Sequence, residues 1–205
     1  MMRDAIFLSA GVPDPERAPG FARTADTVAI TEAVSALLYV TLGRRPLVWG
    51  GHPAITPMVW AVAQSMGVAY GRWVSLYQSE FWKDEFPEDN ARFGNVTYTQ
   101  AVKDDREASL ELMRRRIFSE NGFSAAVFIG GMAGILDEHR ILTELQPGAT
   151  VVPVGSTGGA AATLPGVEAD VRDELAYVSL FHRRLGIPID ERRRATPDET
   201  GAAGG

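Results

Sequence analysis

Two acids that follow a glycine-rich break are the residues of this sequence best suited to chemistry. The apolar run 127–129 ends at Gly130-Gly131-Met132-Ala133-Gly134, where a helical pattern with Asp137 and Glu138 in its first turn begins. Glycines let a phosphate or sugar approach the backbone, and the unpaired amides of a helix N-terminus attract anions. A carboxylate at Glu138 suits ribose hydroxyls, or an oxocarbenium-like centre during cleavage of an N-glycosidic bond. The alternative is a plain strand-to-helix turn whose acids only offset the helix dipole.

Three further apolar runs end in glycine-rich loops, at Ser9-Ala10-Gly11, at Gly50-Gly51-His52 and at 155–159. Because ligands of parallel sheets bind at the carboxyl ends of the strands, all four loops are expected on one rim. His52 is placed to donate to a phosphate or carbonyl, or alternatively to cap the next helix. Glu138 is the catalytic candidate. The predicted ligand-binding residues are Ser9, Gly11, Arg17, Gly50, Gly51, His52, Gly130, Gly131, Met132, Gly134, Asp137, Gly155, Ser156, Thr157 and Gly158.

Several common sites are not indicated by these loops. No Lys-Ser or Lys-Thr follows the glycines, as a Walker A loop requires, and the first strand leads to Gly-Val-Pro-Asp-Pro instead of Gly-x-Gly-x-x-Gly. Neither an ATPase nor a dehydrogenase is therefore favoured. The sequence has no cysteine and three scattered histidines without ligand spacing. We expect no metal site and no cofactor.

Strand and helix patterns alternate along the chain, which predicts an α/β fold: a three-layer, doubly wound, mainly parallel sheet of Rossmann-like type. Residues 1–189 are expected to form a single domain, and 190–205 a flexible tail that has almost nothing to bury. The predicted strands are 5–10, 45–49, 73–78, 95–99, 124–129 and 150–154. The predicted helices begin at 24 or 26, 56, 104 and 134, and a final helix from 167 or 168 to about 186 carries Leu175 and Val178 on its buried side.

Three consecutive arginines, Arg114, Arg115 and Arg116, lie near the end of the third predicted helix, which begins at 104. Consecutive positions point around more than half of a helix, so the simplest interpretation is solvated charge that complements the C-terminal dipole. The alternative is that one of them reaches a ligand or a partner chain.

The composition of the chain argues against some classes of binding partner. The 205 residues include 26 acids and 20 bases, for a net charge of −6, which argues against double-stranded nucleic acid. The absence of cysteine fits a reducing cytoplasm, and neither a signal peptide nor an apolar run near the length of about 20 residues needed by a bilayer is visible. We expect a cytoplasmic protein that does not contact membranes.

The segment 79–94 is acidic and contains four large aromatic residues, Phe81, Trp82, Phe86 and Phe93, where a plain crossover helix would be usual. It is interpreted as a lid or self-packed loop, or alternatively as an interface with a partner. Because this is more apolar surface than a short excursion easily hides, it is also the best candidate for contacts in a homo-oligomer.

The loop residues resemble those of the SLOG superfamily of Rossmann-like domains, which includes the LOG phosphoribohydrolases, the Smf/DprA proteins and ligand-sensing domains of bacterial defence systems. Gly130-Gly131 and 134–138 are similar to the LOG pattern Pro-Gly-Gly-x-Gly-Thr-x-x-Glu, and Glu138 falls on the functional glutamate. Ile129 replaces the proline, Ile135 replaces the threonine, and one extra residue precedes Gly134.

The resemblance implies a nucleotide-derived ligand, related to NAD or ADP-ribose, and a homo-oligomer. The first hypothesis is a sensing domain that signals occupancy through oligomer contacts, as in bacterial defence. The second is an enzyme that hydrolyses the N-glycosidic bond of a nucleoside monophosphate, with Glu138 stabilising the ribose charge. A third, weaker hypothesis is an interaction scaffold.

Overall fold

The computed structural model describes residues 4–52, 54–85, 93–167 and 172–196. Its centre is a six-stranded sheet in which every recorded strand pairing is parallel. The strands are β1 (Ala5–Gly11), β2 (Leu47–Trp49), β3 (Val74–Ser79), β4 (Val96–Thr99), β5 (Phe123–Gly130) and β6 (Thr150–Val154). All six predicted strands are thus confirmed, with bounds shifted by one or two residues.

The strand order is β4-β3-β2-β1-β5-β6. The chain builds outward from β1 to β4, then returns to the other side of β1 and continues to β6. Strand order therefore reverses between β1 and β5, where Gly11 is paired with Gly130. Loops that leave two neighbouring strands in opposite directions create a crevice at such a switch point.

Helices cover both faces of the sheet. They are α1 (Pro19–Ala22), α2 (Thr27–Thr41), α3 (Thr56–Ser65), α4 (Tyr70–Trp73), α5 (Arg106–Glu120), α6 (Ala133–Leu145) and α7 (Tyr177–Arg184). On one face, α2, α3 and α7 pack over Ile6 and Leu8, whereas α5 and α6 pack over Ala5 and Phe7 on the other. Alternate residues of one strand enter separate cores, since neighbouring side chains point to opposite faces. The predicted three-layer α/β fold is confirmed.

The final helix is shorter than predicted. The stretch 174–176 is not helical, so α7 begins only at Tyr177, and the predicted positions 168–171 lie outside the described residues. The Glu174 carboxylate accepts a hydrogen bond from the backbone N–H of Ala176, a local turn that competes with helix formation. Leu175 and Val178, expected on the buried side, are 68% and 41% exposed.

The segment 79–94 is described only in part, because 86–92, and with them Phe86, lie outside the described residues. Glu80–Glu85 form a 3-10 segment directly after β3. Phe93 is buried in the core on the α2 side of the sheet. Phe93 is therefore unavailable for the oligomer surface that the sequence suggested.

Residues 190–196 do not behave as the free tail predicted from their composition, whereas 197–205 lie outside the described residues. Glu191 forms an ion pair with Arg45, and its carbonyl accepts from Nε of the buried Arg44. The indole N–H of the buried Trp73 donates to the carbonyl of Ala195 at 3.1 Å. Backbone and polar contacts, which hydrophobicity does not register, hold this segment against the domain.

No helix among the described residues is long and apolar enough to cross a membrane.

Removing residues 190–205 is expected to lower the free energy of unfolding by about 3 kcal/mol, because Trp73 and Arg44 become buried donors without acceptors, each costing about 1–3 kcal/mol. Urea denaturation measures the effect. Removing only 197–205 is the control, because it leaves the contacts of Glu191 and Ala195 in place. Equal stability of the two truncated chains would show that these contacts contribute nothing.

Candidate functional site

A cleft of about 890 Å³ opens at the carboxyl ends of β1, β2, β3 and β5, over the switch point of the sheet. It brings together much of the predicted site, although the residues come from the ends of three separate strands, β1, β2 and β5, and from α6. The predicted residues on its wall are Ser9, Gly11, Arg17, Gly50, Gly51, His52, Gly131, Met132, Gly134, Asp137 and Glu138. Whether they contact a ligand stays a prediction.

At the floor of the cleft, the Glu138 carboxylate is held from two sides. The hydroxyl of Ser9 donates a hydrogen bond to Oε2 of Glu138. On the other side, Nε of Arg114 lies 3.7 Å from Oε1, and Nη1 of Arg114 lies 3.2 Å from Oδ2 of Asp137. The side chains of Arg114 and Glu138 are 7% and 16% exposed. An acid and a base thus face each other in a largely dry site between α5, α6 and β1.

Burial raises the pKa of Glu138 above its ordinary value, because desolvation penalises the charged carboxylate. The charge of Arg114 and the hydrogen bond from Ser9 oppose this effect by stabilising the ionised form. The neighbouring charge of Asp137 acts in the same direction as burial. The protonation of Glu138 therefore depends on the cation beside it.

Arg114 is the site residue that the sequence analysis did not select, although it left open that one of the three arginines reaches a ligand. Arg115 pairs with Glu111 and Glu144, and Arg116 pairs with Glu120, all at the outer surface. Only Arg114 turns inward. The sequence carries a signal for this, because Arg114 follows Leu110 by four residues and precedes the buried Ile117 by three.

The start of α6 differs from the prediction in the position of its acids. The helix begins at Ala133, so Asp137 and Glu138 lie in its second turn, beyond the reach of the N-terminal dipole. No side chain caps α6, and the amides of Ala133 and Gly134 have no intrahelical partner. A Cβ on Gly134 would lie 2.8 Å from Nη2 of Arg114. Glycine at 134 lets the guanidinium lie against the first turn of the helix.

The glycine pair at the end of β5 forms a structural turn, and Gly131 of this pair also lies on the cleft wall. Gly130 and Gly131 have φ of +58° and +70°, in the left-handed region that favours glycine. Their N–H groups are already used, by the hydroxyl of Thr157 and the carbonyl of Gly11. The unused amides for an anion are therefore those of α6, not those of the glycine pair.

His52 supports the start of α3 and also lies on the cleft wall. Its carbonyl accepts from the backbone N–H of Thr56, and its ring Nδ1 accepts from the N–H of Ala54 at 3.2 Å. Burial lowers the pKa of His52 and favours the neutral ring, whose proton then lies on Nε2. A Cβ on Gly11 would lie 3.3 Å from that Nε2. Arg17 is exposed at the cleft mouth and has no ion-pair partner in the described part of the chain.

Five predicted contacts are not on the cleft wall, namely Gly130, Gly155, Ser156, Thr157 and Gly158. Ser156 donates to the carbonyl of Glu174, and the buried Thr157 donates to the carbonyl of Val154. A Cβ on Gly158 would lie 1.8 Å from the carbonyl oxygen of Thr24. This loop packs behind the cleft, and the neighbouring Gly159 takes its place on the wall.

The cleft also includes residues that the sequence analysis did not name as ligand contacts, among them Trp49, Gln78, Trp82 and Arg106. Trp82 belongs to the aromatic segment after β3. The sequence predicted no position for this segment relative to the glycine-rich loops. The described residues contain no group of three or more His, Cys, Asp or Glu side chains that is able to hold a metal ion.

Comparison with known proteins connects this geometry to a family. The family model described as the SLOG cluster3 family matches residues 20–185, which include Arg114, the start of α6 and Glu138. A search of curated proteins finds no match to the chain.

Replacing Arg114 with methionine is expected to destabilise the fold by about 3 kcal/mol at pH 8, because it leaves a buried carboxylate without its counter-charge. Loss of the cation raises the folded-state pKa of Glu138 further above its unfolded value. The stability of the variant then falls as pH rises between those two pKa values, so the loss is smaller at pH 5. Urea denaturation at both pH values measures it.

Arg115→Met is the matched control, since its ion pairs with Glu111 and Glu144 are exposed and contribute little at either pH. The double variant Arg114→Met/Glu138→Gln is expected to recover much of the stability at pH 8. If Arg114→Met destabilises no more than Arg115→Met, the pair with Glu138 does not matter for folding.

Proposed function

The chain belongs to the SLOG cluster3 family, and we propose that it binds a nucleotide-derived ligand, related to NAD or ADP-ribose, in the cleft at the switch point. Membership of this family indicates nucleotide-related binding or processing. Double-stranded nucleic acid is not proposed as a partner of a chain with net charge −6. The proposed compartment is the cytoplasm.

The observation that carries the proposal is the position of Glu138. Its carboxylate lies at the floor of the cleft, where Ser9 donates to one oxygen and Arg114 lies near the other. Gly50, which has no side chain, faces it: a Cβ there would lie 3.9 Å from Oε1. This opening beside a fixed acceptor suits the hydroxyl groups of a ribose.

The start of α6 supports the placing of a phosphate next to that ribose. The uncapped amides of Ala133 and Gly134 supply donors, and the helix dipole favours a negative charge there. Arg114, whose Nη2 lies against Gly134, adds a full positive charge at the same end of the helix. Phosphate and ribose sites thus lie one helical turn apart.

The size of the cleft supports a ligand larger than a mononucleotide. Small-molecule sites in proteins commonly occupy about 300–1,000 Å³, and the 890 Å³ here lies near the upper end of that range. In the sensing version of the proposal, occupancy of this cleft is a signal in bacterial defence, passed on through contacts between copies of the chain.

Hydrolysis of an N-glycosidic bond is the second candidate, favoured by the burial of the Glu138 carboxylate. A negative charge in a dry site stabilises developing positive charge more strongly than in water. In this reaction water adds to C1′ of the ribose, the bond from C1′ to the base nitrogen breaks, and the base leaves with a proton. Glu138 stabilises the oxocarbenium-like transition state, and the charge of Arg114 favours the ionised form of the carboxylate.

Glu138→Gln is expected to weaken binding of ADP-ribose by at least about tenfold, because it exchanges charge-assisted hydrogen bonds for neutral ones. Isothermal titration calorimetry measures the affinity. The matched control is Glu144→Gln, which changes an acid of the same helix that pairs with Arg115 outside the cleft. Equal affinity of the two variants would remove Glu138 from the binding site.

Release of free base from nucleoside monophosphates, followed by chromatography, separates the two candidates. Steady turnover that Glu138→Gln abolishes and Glu144→Gln preserves would support the enzyme and rule out a pure sensor. Binding of ADP-ribose without turnover would support the sensor.

A homo-oligomer is expected if occupancy is signalled between copies of the chain. Light scattering at micromolar concentration, with and without ADP-ribose, measures the mass in solution. A monomer under both conditions would contradict signalling through oligomer contacts but not ligand binding.

A further inference from the structure

The 3-10 segment Glu80–Glu85 carries an aromatic residue to the cleft that the ribose and phosphate contacts do not use. The segment follows β3, whose carboxyl end borders the cleft, and Trp82 lies on the wall. The backbone of Trp82 departs from helical geometry, with φ −107° and ψ 23°, so the segment is kinked at this residue. Trp82, the aromatic residue of this segment that lies on the cleft wall, is thus at the position where the segment bends.

The ring of Trp82 contacts another aromatic ring and a guanidinium. Phe81 packs against it in a T-shaped arrangement, with ring centroids 4.8 Å apart. The guanidinium carbon of Arg106 lies 5.8 Å from its ring centroid, over the face. Arg106 is 47% exposed and paired only with the exposed Glu107 in the described residues, so it is free to move. A planar guanidinium lies over this indole ring, and a planar nucleobase is able to stack on the same kind of surface.

An apolar wall connects this ring with the ribose position. Leu110 and Met113 line the cleft and belong to α5, the helix whose first residue, Arg106, lies over the ring of Trp82. Cε of Met113 would lie 3.3 Å from a Cβ on Gly50, and Oε1 of Glu138 would lie 3.9 Å from the same point. Ligand atoms beside Glu138 are therefore also beside the apolar wall. The position beside Glu138 is thus also beside α5, the helix that begins next to Trp82 with Arg106.

Gln78 supplies a polar group at the end of β3 with a fixed orientation. Its Nε2 donates to the carbonyl of Gly50 at 3.2 Å, and this acceptor assigns the two ends of the amide. A Cβ on Gly51 would lie 2.0 Å from that Nε2, so only glycine at 51 leaves room for this contact. In the described part of the chain, Oε1 of Gln78 has no recorded hydrogen-bond partner. An acceptor on the cleft wall selects a ligand that donates.

We propose that Trp82 and Gln78 form the base-recognition part of the cleft and select a nucleotide whose base carries an exocyclic amino group. The base stacks on Trp82 in place of Arg106, and its amino group donates to Oε1 of Gln78. This inference rests on the proposed binding of a nucleotide in the same cleft. The inference gives the aromatic segment a role in ligand specificity. The proposed ribose and phosphate contacts do not involve this segment.

Three probes test it by isothermal titration calorimetry: AMP, IMP, which has a carbonyl in place of the amino group, and ribose 5-phosphate, which has no base. Trp82→Ala is expected to weaken AMP and IMP about tenfold or more, the size of effect typical of a base stacked on an aromatic ring. Trp82→Phe, which keeps an aromatic face, is expected to recover much of that affinity. Binding of ribose 5-phosphate is expected to stay unchanged in both variants, which also shows that they are folded.

Gln78→Leu is expected to remove the preference for AMP over IMP while leaving the affinity for IMP unchanged. Gln64→Leu, a glutamine of α3 outside the cleft wall, is the matched control and should keep the preference. If Trp82→Ala binds AMP as tightly as the unchanged protein, or if the unchanged protein binds AMP and IMP equally, base recognition at this position is refuted while nucleotide binding stands. If the unchanged protein binds ADP-ribose but neither AMP nor IMP, base recognition is refuted while the proposed function stands. If it binds neither ADP-ribose nor any of the three probes, the proposed function and this inference both fail.

Discussion

The buried pair of Glu138 and Arg114 is the interaction on which the candidate site depends. A carboxylate with 16% of its side chain exposed is costly to ionise, and its raised pKa expresses that cost. Arg114 from α5 and Ser9 from β1 oppose this cost by stabilising the ionised carboxylate. The environment of Glu138 therefore forms only where α5, α6 and β1 meet. Neither partner is near Glu138 in the sequence. The fold therefore creates the electrostatics of the site, and a change in the packing of α5 against α6 alters them.

The sheet order creates the space above that pair. Because the chain leaves β1 toward β2 on one side and enters β5 on the other, the loops after these strands diverge and open the cleft. The glycines at the strand ends serve this opening in different ways. Gly130 and Gly131 make the turn into α6, Gly134 admits the guanidinium of Arg114, and Gly50 leaves Glu138 uncovered. Small size matters at each position, but only part of this glycine-rich rim offers free backbone donors.

The two walls of the cleft have different chemistry. Toward α6 lie an uncapped helix start and a buried cation, which suit phosphate. Toward α5 and the 3-10 segment lie Met113, Leu110 and the ring of Trp82, which suit a flat apolar group. Glu138 lies between them. A nucleotide combines these properties in the same order, as phosphate, ribose and base, which is why the proposed ligand class follows from the arrangement as a whole and not from one motif.

The six strands, the three-layer fold and eleven residues of the cleft wall were predictable from the sequence, because alternation of strand and helix and glycine at strand ends are local patterns. Helical spacing from Leu110 and Ile117 indicates that Arg114 is the arginine that turns inward, but the tertiary structure was needed to show that its partners are Asp137 and Glu138 of another helix. It also decided that Gly155–Gly158 pack behind the cleft and that 190–196 contact the domain through Arg44, Arg45 and Trp73. Most of the contacts involved join residues more than 20 positions apart in the chain, such as Gly158 with Thr24 and Trp73 with Ala195, and no local pattern encodes such pairings.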